Sequence, residues 1–65
     1  MLIYVNESNT GQAIAINPNH VVAVFEAQDG ELEGKTIINM VNGAAWPISQ
    51  SQIEIVGIIN GELNN

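Results

Sequence analysis

Sixteen of the 65 residues are Ile or Val, and only three are Leu. Beta-branched side chains lose rotamer freedom in a helix and pack well on a pleated surface. A chain with this bias is built mainly from strands. Its nine Asn and six Gly fall mostly between the Ile/Val clusters, where turns belong. The length allows one small β domain over residues 1–65, near the lower limit for folding alone. Small scaffolds often replace a missing core with disulfides or a metal. With no cysteine and one histidine, neither staple is on offer. A tightly packed core or burial against another copy of the chain remains.

Along the chain, Leu2 to Asn6 reads as a first strand and Ser8 to Gly11 as a turn. Gln12 to Asn17 alternates, with Ile14 and Ile16 on one face and Ala13 and Ala15 on the other. Asn17-Pro18-Asn19 interrupts, because proline lacks an N–H and restricts its neighbour. His20 to Ala27 is the strongest strand, followed by an acidic hairpin loop over 28–34. Lys35 to Val41 is next, then Asn42-Gly43, which predicts a type I′ turn. Ala44 to Ile48 is a short strand that Pro47 marks as an edge or a strand end. Residues 51–60 carry two signals. Ser51-Gln52-Ile53-Glu54 has the form of a capping box. Alternation at Ile53-Glu54-Ile55 and the weak helix formers that follow favour a strand, with a short helix as the alternative.

Val21 to Ala27 is apolar on both faces, Val22 and Val24 on one and Val21, Ala23 and Phe25 on the other. A strand with one wet face alternates more cleanly. Both faces are expected to be covered, by the far wall of a barrel or by another subunit.

Charge excludes several partners. One lysine and no arginine stand against seven acids, for a net charge of −6. Nucleic acids are bound largely through basic side chains on phosphate, and anionic membranes attract the same groups. Neither partner is expected. The longest unbroken apolar run is Val21 to Phe25, far short of the ~20 residues that span a bilayer. The N-terminal residues show no signal-peptide pattern, so the expected compartment is the cytoplasm.

Candidate sites are few. Asp29 to Gly34 resembles the start of a calcium loop, but the bidentate Glu due at the twelfth position is Met40. A solvated hairpin tip fits better, and no metal or other cofactor is expected. His20 lacks the nucleophile or orienting carboxylate that a catalytic histidine needs, and reads as a surface residue at a strand start. Trp46 is one of three aromatics and sits beside Pro47 on the expected edge strand. Interface anchor and core tryptophan fit it equally. The candidates for interface or ligand contact are Trp46, Phe25, Tyr4, His20 and Lys35. No P-loop, dinucleotide fingerprint or nucleophile elbow is present, so no catalytic residue is assigned.

Three stretches together resemble a known pattern: Ile16-Asn17-Pro18 through Val24-Phe25-Glu26, then Thr36 through Asn42-Gly43, then Ser51 through Ile59. Over about two-thirds of the chain this order of strand and turn residues is similar to that of small FlbD-type flagellar proteins. The resemblance implies a small cytoplasmic β protein that regulates through binding, and it carries over no catalytic residue. The basic residues typical of that family are nearly absent here, and Leu2 to Gly11 is not closely matched. The family's proposed regulatory link to RNA does not suit this chain's charge.

The expected fold is all-β: a four- to six-stranded antiparallel barrel or curled sheet, with a short C-terminal helix as the variant. The expected function is a non-enzymatic binding or regulatory module acting through protein–protein contacts as a homo-oligomer. The alternative is a small-ligand binder, such as a nucleotide-signal sponge of the sort phages encode, with its pocket at a subunit interface.

Overall fold

The computed structural model describes residues 1–63. The chain forms β1 (Ile3–Asn6), β2 (Ala13–Ile16), a 3-10 turn (Pro18–His20), β3 (Val21–Glu26), β4 (Thr36–Met40), β5 (Ala45–Ile48) and α1 (Gln52–Leu63). β1 and β2 pair antiparallel, as do β3–β4 and β4–β5. The five strands expected before residue 51 are all present, each within a residue or so of its sequence boundaries. The strands form two sheets, β1-β2 and β3-β4-β5, and do not close into the expected barrel. The sheets meet at one corner. There Glu7 bridges Ile48, Ser8 N–H donates to Pro47 O at 2.9 Å, and Ser49 N–H donates to Asn6 O at 2.8 Å. Asn6 and Gln50 reinforce the corner with reciprocal bonds of 3.1 and 2.9 Å. Pro47 fits β5 because its missing N–H falls on the β1 side, not in the ladder to β4.

Residues 51–60 are helical, not a strand. Ser51 caps α1, its Oγ accepting the Glu54 N–H at 3.1 Å, while Ile55 N–H donates to Ser51 O at 2.9 Å. The cap satisfies a donor the helix would otherwise leave unpaired. Ile55 and Ile59, four residues apart, are both buried on one face. Packing those two against the sheets outweighs the weak intrinsic propensity of the segment.

The core is Ile3, Val5, Ile16, Ile38, Ile48, Ile55 and Ile59, drawn from both sheets and the helix. Val21, Val24 and Met40 flank it. The split of β3 between its faces differs from simple alternation, because a register shift between Val21 and Ala23 places Val22 in a bulge. Val21 and Val24 both turn inward, and Val22 is left 65% exposed. Phe25 is also exposed, so the strand expected to be covered on both sides is not covered within one chain.

The Asn42-Gly43 turn differs in type. Gly43 has φ 89°, but no residue other than glycine has positive φ among those described, so type I′ is ruled out. Gly43 N–H donates to Met40 O at 3.0 Å and Met40 N–H to Ala44 O at 2.8 Å. This is a three-residue hairpin loop whose last position is left-handed. Asn42 serves it by accepting the Ala44 N–H at 3.0 Å.

Candidate functional site: an apolar cleft beside strand β2

A cleft of about 460 Å³ opens beside β2. Residues 14–17 of β2 and its exit form one side; Met40, Val41, Asn42, Ala44 and Trp46 of the β4–β5 hairpin line the rest, with His20. Trp46 pairs with Ile38, so its side chain lies on the core side of the sheet, yet it stays 39% exposed at the cleft. Its polar groups are Asn17, Asn42 and His20, and no carboxylate or hydroxyl side chain lines it. His20 therefore has no orienting partner there. The cleft can take apolar or amphipathic matter.

Two of the five candidate residues, Trp46 and His20, share this cleft. The other three stand apart. Tyr4 projects from β1 and is largely exposed. Phe25 lies on the outer face of the second sheet, in a row with Ile37 and Pro47. Lys35 lies in a second cleft, of about 400 Å³, with Ser8, Thr36 and residues 48–51. Its Nζ approaches Ser8 Oγ at 3.4 Å. Nearby, the Glu7 carboxylate accepts N–H bonds from Asn9 and Thr10, each at 2.9 Å. The Asn9 bond foremost, with Thr10 and the Lys35 charge behind it, holds its pKa below the usual carboxylate value against the opposing effect of desolvation.

Sequence reasoning missed Ile14, Ile16, Met40 and Val41 as cleft residues. Strand alternation assigns the isoleucines to a core face and gives no hint that the core is open on that side. It also missed an apolar surface on α1, where Ile53 is 88% exposed and Val56 and Ile58 are partly so. The Ser51-x-x-Glu54 box was the signal that could have revealed it.

The β3–β4 loop is a run of turns with Gly30 and Gly34 at positive φ. Among the described residues, no three His, Cys, Asp or Glu gather as metal ligands do. No described helix is long and apolar enough to cross a membrane. The chain matches no family model, no curated protein and no solved structure.

Proposed function

We propose that the protein is a non-enzymatic binding module that works through protein–protein contacts, as a homo-oligomer in the cytoplasm. The observation that carries this reading is the amount of apolar surface a single chain leaves in water. Leu2, Tyr4, Val22, Val41 and Ile53 are all more than half exposed. Scattered exposed apolar residues are ordinary, but this many large ones on so small a chain support a reading in which a partner covers some of them. The outer face of β3-β4-β5 adds exposed Ala23, Phe25 and Ala45 and half-buried Pro47 around a buried Ile37, with Asn39 as the only polar side chain in those rows. A regulatory role suits a chain that binds and does not transform, and the FlbD-type resemblance points the same way.

Light scattering at micromolar concentration tests the reading. The expected mass is a multiple of 7.0 kDa. A folded monomer across the accessible concentration range overturns it.

The cleft supports a second reading, a small-ligand binder. An apolar hollow with a tryptophan and a few polar groups is the usual form of such a site. Raised melting temperature with one compound class in a screen of nucleotides and other small amphipathic molecules is the outcome that favours it.

A further inference from the structure

We propose that two copies of this chain join by antiparallel addition of β2 to β2, making one continuous sheet across the pair. The inference rests on the homo-oligomer reading and names its contact.

Free sheet edges invite pairing, and folded proteins usually guard them with charge, proline, bulges or covering side chains. The two outer strands of this protein are treated differently. Ala27 N–H donates to Lys35 O, which sets the phase of the β3–β4 ladder and turns the N–H and C=O of Val24 and Glu26 outward. Both outward carbonyls are taken. Gln52 Nε2 donates to Val24 O at 3.5 Å and Gln28 Nε2 to Glu26 O at 3.0 Å. The bulge at Val22 and the Glu26 charge complete the protection.

β2 has none of this. Glu7 N–H donates to Gln12 O, so Ile14 and Ile16 bond to β1 while the N–H and C=O of Ala13 and Ala15 point outward. Neither alanine makes any other hydrogen bond among the described residues, and both are exposed. The strand reads Ala-Ile-Ala-Ile, without charge, proline or bulge.

Charge identifies the occupant. A chain of net charge −6 repels its own copies wherever acids face each other. From Ser8 to Phe25 there is no Asp, Glu, Lys or Arg, so β2 lies in a stretch where like-charged copies can approach. The strand also suits itself. With Ile14 on a two-fold axis, Ala13 of one copy faces Ala15 of the other, and every outward N–H meets an outward C=O. The alanines keep one face of the joint thin, and the isoleucines continue the core row on the other. The cleft bordering β2 is then flanked by the second copy.

The test uses the full chain and two independent readouts. Ala15→Pro deletes an outward N–H and leaves the β1–β2 ladder intact, since Ile14 and Ile16 carry it. It should weaken self-association at least ~10-fold by light scattering while the circular dichroism spectrum is kept. Amide exchange in the unaltered protein needs no variant. Protection at Ala13 and Ala15 should rise with protein concentration, and protection at Val24 and Glu26 should not. If the protein oligomerises but the Ala13 and Ala15 amides exchange equally fast at every concentration, the β2 contact is overturned and the oligomer reading stands. If the protein is a monomer throughout, both fall.

Discussion

At the scale of single residues, the clearest device is Glu7. Its carboxylate closes the β1–β2 turn by accepting from the Asn9 and Thr10 N–H groups and from the Thr10 hydroxyl at 3.2 Å. These donors favour the charged form, so the folded-state pKa lies below the unfolded one. A depressed carboxylate stabilises the fold above its unfolded pKa, and that contribution is lost as pH falls through the folded pKa. An NMR titration should find Glu7 ionising at lower pH than an unfolded-state glutamate. Glu7→Gln should flatten the acid limb of the stability curve, and an unchanged limb would show that the turn does not depend on the charge. Ile38 stands at the opposite extreme, fully buried at the centre of β4. Truncating a buried isoleucine to alanine costs ~2–5 kcal/mol. A domain this small has little more than that to lose. Ile38→Ala should therefore be largely unfolded by circular dichroism at 25 °C.

Among elements, α1 shows where sequence patterns compete. A 3.6-residue period and a two-residue period both fit a short run such as Ile53 to Ile59, because apolar residues occupy nearly every position. What decides is the cap at Ser51 and the room over the two sheets for Ile55 and Ile59. Ser51→Ala should cost ~1 kcal/mol, and Ser51→Asp, which keeps an acceptor at the cap, should restore it in a urea melt. Equal midpoints for the alanine variant and the parent would mean the helix needs no cap. The strands were legible because Ile/Val runs and Asn/Gly punctuation fixed them locally. The Val22 bulge was not, since one extra residue leaves no trace in a strand that is apolar throughout. Nor was the unclosed barrel. The corner at Glu7 and Ile48 depends on Asn6 reaching Gln50, 44 positions away. No periodicity encodes a pair at that separation.

For the whole molecule, charge was the most legible property, and it carries a prediction. With Lys35 as the one basic side chain apart from His20, neither duplex nor single-stranded oligonucleotide should bind at ~0.15 M salt. A salt-sensitive gel shift at micromolar protein would overturn this. The site was only half legible. Trp46 and His20 could be singled out by rarity, but their meeting in one cleft depends on how the β4–β5 hairpin lies beside the end of β2. That geometry also settles what Trp46 can report. It is the only tryptophan, it is partly exposed, and it shares its cleft with the strand proposed to pair. A second copy on β2 should shield the indole from water. Emission should then be blue-shifted at high concentration and move red on dilution, while the sheet signal in circular dichroism holds. Trp46→Ala should weaken association by ~2 kcal/mol or more, as loss of an interface tryptophan does. Being partly exposed, Trp46 should cost the monomer less than the ~3–5 kcal/mol of a core aromatic. Emission that stays constant while light scattering records dissociation would place Trp46 outside the contact.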